Sequence, residues 1–249
     1  MASGTSVDRS SDISRATSHR TTSNDCTNSG KASSSSLAGR AVRGAIILAG
    51  GASKRLGRPK AFIPVAGVPL LLRVVRAARQ VADDIVVVTK HSDIVDIEKL
   101  VGADSRVVED KQATQSPLIG FVSSADALHT QYTAFLACDL PFLSPDVLNL
   151  LFEASFGVEA VIPRWPDDRI EPMVAVYHRE RAFVAATTAL KAGELANTDM
   201  IRRLRRIRYM NVEGLRSVDP DLTSFLNVNS PKDLAAAESQ AKRTRMSSA

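Results

Sequence analysis

From residue 44 onward, short apolar blocks alternate with longer stretches of helical periodicity, and that rhythm sets the fold class. Ala45 to Leu48, Ile85 to Thr89, Arg106 to Val108 and Thr133 to Ala137 are runs without in-and-out alternation. Strands covered by helices on both faces have this signature. Between them, L-L-R-V-V-R-A-A-R-Q repeats its apolar residues at helical spacing and puts Arg73, Arg76 and Arg79 on a solvated face. A short helix is expected near Ile94 to Val101, and Ser116-Pro117 with its apolar continuation reads as the entry of another. Strands and helices at this interval predict an α/β protein with a doubly wound, mostly parallel sheet flanked by helices.

Beyond residue 150 the rhythm loosens. Val158 to Pro163 reads as a strand, R-W-P-D-D-R as a loop, M-V-A-V-Y after Glu171-Pro172 as a strand, and Glu180 to Leu190 as a helix. The sole Trp, Trp165, either lines a site or covers the core. D-M-I-R-R-L-R-R-I-R-Y, residues 199 to 209, reads as a helix with Ile201, Leu204 and Ile207 inward. Its Arg202, Arg203, Arg205, Arg206 and Arg208 then form either a solvated face, the usual role of such a charge run, or an anion site. F-L-N-V-N is expected to be a strand that turns through Asn227 and Asn229 into a final helix, capped by Ser230 with Pro231 in its first turn.

Composition changes this picture chiefly at the ends. Residues 1 to 42 are dominated by Ser and Thr with few large apolar side chains, so a disordered tail is expected there. A transit-peptide reading is opposed by Asp8, Asp12 and Asp25, and no apolar segment of a secretory signal is present. A single domain is expected over 43–241, followed by a basic disordered tail over 242–249. The formal charge of +5 sits in these ends: residues 1 to 43 carry six Lys or Arg against three Asp, and residues 242 to 249 carry three cations. By subtraction the body holds 23 cations against 24 acids, which argues against nucleic acid as a partner. Cys26 and Cys138 alone build no disulfide framework and fit a reducing cytoplasm. The four histidines, His19, His91, His129 and His178, show no metal-ligand spacing. No apolar run approaches the roughly 20 residues that cross a bilayer, so no membrane association is expected.

Candidate chemistry concentrates where strands end. G-A-I-I-L-A-G-G-A-S-K-R-L-G-R-P-K, residues 44 to 60, empties a buried strand into a turn with Gly50, Gly51 and Gly57 and the cations Arg55 and Lys60. Glycines let several backbone N–H groups approach one anion while Arg and Lys supply neutralising charge, so a phosphate-holding loop is expected. Gly50, Asp110 and Asp139 would share the crevice outside the carboxyl ends of the strands. Asp139 followed by Leu140-Pro141 is either a cap of the next helix or a Mg²⁺ ligand, and Ser144 before Pro145 already supplies a cap. Asn229 either shapes its turn or gives a carboxamide oxygen to the same ion. Cys138 reads as a small core residue, since no His neighbour is evident to lower its pKa.

L-A-G-G-A-S-K-R-L-G-R-P-K, Q-S-P-L-I-G, C-D-L-P and N-V-N-S-P-K-D-L, in this order, resemble the molybdenum cofactor guanylyltransferase family over residues 44 to 240. More broadly they look like nucleotidyltransferases built on a Rossmann-like sheet. The resemblance implies transfer of GMP from GTP to the terminal phosphate of molybdopterin, or Mo-molybdopterin, with release of pyrophosphate and with Mg²⁺ as cofactor. It makes Leu48, Ala49, Gly50 and Gly51 contacts for the base and phosphates, and puts Arg55 and Lys60 on the phosphates as catalytic cations. Asp110 becomes a nucleotide contact, as do Pro117, Leu118 and Gly120 of the second loop. Asp139 matches the catalytic magnesium-binding aspartate, and Asn229 the metal-proximal Asn of related sugar nucleotidyltransferases. Gly50-Gly51 and Pro117-Leu118-Ile119-Gly120 favour guanine over cytosine. Leu56 stands where the family commonly has Met, and Arg58-Pro59 is a shorter spacer before Lys60 than in some members. Molybdoenzymes or other cofactor-assembly proteins are the partners implied. Two other readings stay open: an acceptor such as a sugar phosphate, phospholactate or cobinamide phosphate, and a non-catalytic GTP-binding partner.

Overall fold

The apolar runs of the N-terminal half become the parallel centre of a seven-stranded sheet. The structure is a computed structural model that describes residues 43–50, 57–110 and 116–247, with side chains to residue 244. The tail expected over residues 1–42 lies outside these.

Strand β1 (Arg43–Leu48) pairs in parallel with β4 (Asp84–Thr89) on one side and β6 (Tyr132–Ala137) on the other. β5 (Arg106–Glu109) adds in parallel to β4. The register sets Leu48 beside both Val88 and Ala137, and Thr89 beside Glu109, so four carboxyl ends finish level. β2 (Pro64–Val65) and β3 (Val68–Pro69) form a separate tight hairpin. Ala66 and Gly67 turn it with φ of 50° and 78°, which matches the twist of the flanking strands.

In the other half, β7 (Ala160–Arg164), β8 (Val174–His178) and β9 (Ile207–Asn211) complete the order β5-β4-β1-β6-β8-β7-β9. Only β8 runs antiparallel to its neighbours. The chain moves outward from β1 through β4 to β5 and then returns to β6 on the opposite flank of β1. That reversal is the switch point at which open α/β sheets bind ligands.

Helices cover both faces, as strands apolar on both sides require. One core layer packs α1 (Leu70–Ala78) and α4 (Pro145–Ala154) on Ile47, Val87 and Leu136, with Leu71, Val74, Leu148 and Leu151 inward. α2 (Ile94–Val101) adds Ile97 and Val101 to the same layer. The opposite layer packs α3 (Pro117–Ala125) and α5 (Arg179–Lys191) on Ile46, Phe135 and Tyr177. A third, smaller cluster sets Ala237 and Ala241 of α7 (Pro231–Ser247) against Ile63, Val65 and Leu70.

Ser116 and Ser144 cap α3 and α4, their hydroxyls accepting from Leu118 and Asp146 N–H at 3.2 Å each. Four expectations need correction. The arginine segment is not one helix: α6 (Asn197–Ile201) ends early, and Ile207 to Asn211 form the edge strand β9, with Ile207 beside Ala160. A spacing of three between Ile201, Leu204 and Ile207 serves a helix end followed by a turn and strand equally well.

F-L-N-V-N is not a strand but a 3₁₀ turn ending at Phe225 followed by irregular chain. Arg73 and Arg79 are not on a solvated face. Arg73 donates to the Val65 carbonyl (3.1 and 2.6 Å) and the Pro141 carbonyl (3.3 Å), and Arg79 to the Val101 carbonyl at the end of α2 (2.6 Å). The guanidinium at α2's end satisfies a terminal carbonyl and complements the helix dipole. Finally, residues 242 to 247 continue α7 where a disordered tail is expected. Among the described residues no helix is long and apolar enough to cross a membrane.

Candidate active site

Backbone bonding past the strand ends draws four segments together over the switch point. Ala49 N–H donates to the Val88 carbonyl (2.8 Å) and Cys138 N–H to the Leu48 carbonyl (3.1 Å), so β1 and β6 deliver Gly50 and Asp139 side by side. Asp110 N–H donates to the Thr89 carbonyl (2.7 Å), holding Asp110 at the same sheet end. Val228 N–H donates to the Asp139 carbonyl (3.0 Å) and carries Asn229 in from far along the sequence. Asn229 is steadied in turn by its own N–H, which donates to Asp233 Oδ2 (3.0 Å). That bond and the Ser230 hydroxyl hold the Asp233 carboxyl below its usual range.

Lys60 opens the 3₁₀ turn Lys60–Phe62 and crosses to meet these groups. Its ammonium donates to Asp139 Oδ2 at 2.7 Å and also to Asn229 Oδ1. The short Arg58-Pro59 spacer does not prevent this reach. Asp139 Oδ1 is buried with no hydrogen-bond partner. A half-satisfied buried carboxylate costs free energy unless something completes it. A bare carboxylate oxygen beside a carboxamide oxygen is a hard, all-oxygen donor set that suits a small divalent cation such as Mg²⁺. Among the described residues no three His, Cys, Asp or Glu side chains gather around one point. An ion held here would complete its shell from substrate oxygens and water.

Beside this trio lies a largely apolar cleft of about 240 Å³. Leu48, Gly50, Lys60, Asp110, Pro117, Gly120 and Asp139, all marked by the sequence, line it together. Ala49 and Leu118 do not: both are buried in the two core layers. Gly51 and Arg55 lie outside the described residues, as does Leu56. The sequence reading missed Val88, Ser116 and Met173, which also line the cleft. Met173 enters because its carbonyl accepts from Ala137 N–H (3.3 Å), and its only sequence signal is the Glu171-Pro172 step before a strand.

Gly120 has a steric purpose. A Cβ built there would fall 2.7 Å from Leu48 Cδ2, so the glycine lets α3 sit against the end of β1. Trp165 covers the core rather than lining the cleft: its ring packs edge-on against Phe225 (5.7 Å between centroids), and its N–H donates to Glu171 Oε1 (2.7 Å). Burial first, and then the adjacent Asp139 carboxylate, push the Cys138 thiol up to about 12. It is a protonated wall residue and not a nucleophile.

The sequence profile of the MobA-like NTP transferase domain matches residues 45–208. A probable molybdenum cofactor guanylyltransferase of Natronomonas pharaonis is 33% identical over 198 residues, covering 78% of this chain and 96% of its own. A molybdenum cofactor guanylyltransferase of Desulfosudis oleivorans is 32% identical over 204 residues, covering 81% and 97%. Among solved structures, the molybdopterin-guanine dinucleotide biosynthesis protein A of Archaeoglobus fulgidus superposes with a TM-score of 0.68 at 27% identity, over 80% of this chain and 99% of that one.

Proposed function

We propose, from the premise that this chain belongs to the MobA-like NTP transferase family and is a nucleotidyltransferase, that it transfers GMP from GTP to the terminal phosphate of molybdopterin or Mo-molybdopterin. The products are the guanine dinucleotide and pyrophosphate. One observation carries the reading: Lys60, Asp139 and Asn229 meet at the switch point beside a cleft walled by Leu48 and Gly120.

The reaction needs little from the protein in the way of proton transfer. An oxygen of the acceptor phosphate attacks the α-phosphorus of GTP in line, and the bond from that phosphorus to the oxygen bridging to the β-phosphate breaks as pyrophosphate leaves. A phosphate monoester, with a second pKa of about 6, is already largely a dianion near neutrality. No base or nucleophile is required, and Cys138 supplies neither. What the chain contributes is position and charge. Lys60 brings an ammonium to the phosphates. Asp139 and Asn229 would hold Mg²⁺, which when bound neutralises phosphate charge. Leu48 and the glycine face of α3 provide an apolar slot for the base.

Two results are expected. With Mg²⁺ and molybdopterin, pyrophosphate is released with GTP and not with CTP or ATP. Release with none of the three, from a protein that binds GTP, would transfer attention to other phosphorylated acceptors. Secondly, Gly120→Ala drives Leu48 into the slot. The low end of overpacking costs, about 1.4 kcal/mol, predicts a roughly tenfold loss of GTP affinity by calorimetry. Adding Leu48→Ala in the same chain removes the colliding methyl and should recover the melting temperature lost in Gly120→Ala, while GTP affinity stays low because the slot has then lost a wall.

A further inference from the structure

Lys60 does more than carry positive charge into the cleft: it occupies, with one ammonium, both oxygen groups that a divalent ion would use. Two of its three donors go to Asp139 Oδ2 (2.7 Å) and to Asn229 Oδ1. We propose that this ammonium is the site's internal counter-cation, and that GTP draws it off Asp139 and Asn229 so that metal and nucleotide bind as one coupled event. The inference rests on the reading of Asp139 and Asn229 as metal ligands.

The argument is one of competing partners. The Lys60 and Asp139 side chains are only 16% and 12% exposed, so water cannot replace either partner cheaply. Removing one member of such a pair leaves an uncompensated charge, and this holds the bridge closed in the absence of ligand. A divalent ion coordinates oxygens at about 2.0–2.1 Å, and even taking the bare Asp139 Oδ1 it still needs the Asn229 oxygen that the ammonium holds, with two cations then crowded on one carboxylate. The ion alone must therefore break the bridge with nothing offered to Lys60 in return. GTP changes this, because its phosphate oxygens accept the displaced ammonium and release both ligands. Asp139 Oδ1, buried and without a partner, is then a further oxygen available on the same carboxylate. By linkage the effect is reciprocal: whatever GTP adds to metal affinity, metal adds to GTP affinity.

The probe is Mn²⁺, followed by loss of the free-ion EPR signal on titration into the full chain, with and without GTP and with no acceptor present. Lys60→Met should bind Mn²⁺ in the absence of GTP about tenfold more tightly than the unaltered protein, a size usual for coupled sites. Lys60→Gln, which removes the charge but keeps a donor for Asp139, should move the same way and serves if the Met variant does not fold. Lys90→Met separates occupancy from simple field effects. Lys90 stands beside Gly50 at the crevice, its Cγ 3.9 Å from where a Gly50 Cβ would lie. Removing that charge should change Mn²⁺ affinity by no more than about twofold, as a solvent-screened cation would. Equal Mn²⁺ affinity in the Lys60 variants and the unaltered protein, or an equal gain from Lys90→Met, overturns the proposal. The underlying reading fails differently: Asp139→Asn that keeps its full GTP-dependent Mn²⁺ affinity would remove Asp139 as a ligand, whatever Lys60 does.

Discussion

Asp139→Asn is expected to yield a folded protein that binds GTP and scarcely turns it over, with kcat for pyrophosphate release down by about 10²–10³-fold, the usual loss when a preorganised electrostatic group is removed. The substitution is isosteric, and the structural contacts of residue 139 survive it: its carbonyl still accepts from Val228 N–H, and its side-chain oxygen can still accept from Lys60. What disappears is the negative charge that orders Lys60 and would anchor a cation. Because that charge acts on the phosphates as they rearrange, the loss should appear mainly in kcat, with any rise in the KM for GTP no larger than the roughly tenfold coupling between metal and nucleotide. A thermal melt alongside the kinetics checks that the fold is retained. Turnover within about twofold of the unaltered enzyme would take Asp139 out of the mechanism.

The legibility of this site in the sequence has a physical origin. Strands buried on both faces must be continuously apolar, so β1, β4 and β6 announce themselves, and the residues just past their ends are the ones a switch point gathers. Gly50 and Asp139 could be placed in one crevice on that ground alone. Asn229 could not: it arrives through a single hydrogen bond from Val228 N–H to the Asp139 carbonyl, a contact between segments far apart in sequence. Met173 was hidden for a related reason. The V-A-V-Y run of β8 reads the same in either direction, and only its antiparallel pairing with β6 brings the preceding residue to the cleft. Arg73 and Arg79 depart from the solvated face that their spacing predicts because each guanidinium finds backbone carbonyls within reach, a contact between segments that periodicity does not carry. The extension of α7 follows from its good helix formers and from Ala237 and Ala241, whose packing on the hairpin cluster outweighs the basic charge beyond them.

Phe135→Ala is expected to cost about 3–5 kcal/mol of unfolding free energy, the range for deleting a fully buried phenyl ring. Phe135 is inaccessible to solvent in the centre of β6, and its ring meets Phe121 of α3 edge-on at 5.1 Å and Tyr177 of β8 at 6.3 Å. Phe121 and Tyr177 also meet edge-on, at 6.2 Å, so the three rings form one closed cluster. Such pairs contribute beyond the area they bury, and a strand at the centre of a sheet cannot collapse to refill the void. The loss should appear in urea unfolding as a lower midpoint with an unchanged slope. Phe135→Leu, which keeps most of the volume, should cost markedly less. The functional consequence follows from which helix is freed. α3 carries Pro117 and Gly120, and Phe121 is the side chain by which that helix grips the sheet beside Leu48. Loosening it should weaken GTP binding in the surviving folded protein, and saturating GTP should return part of the lost stability, because the ligand binds only the folded form. A Phe135→Ala protein as stable as its parent would mean that α3 is held by something other than this aromatic cluster.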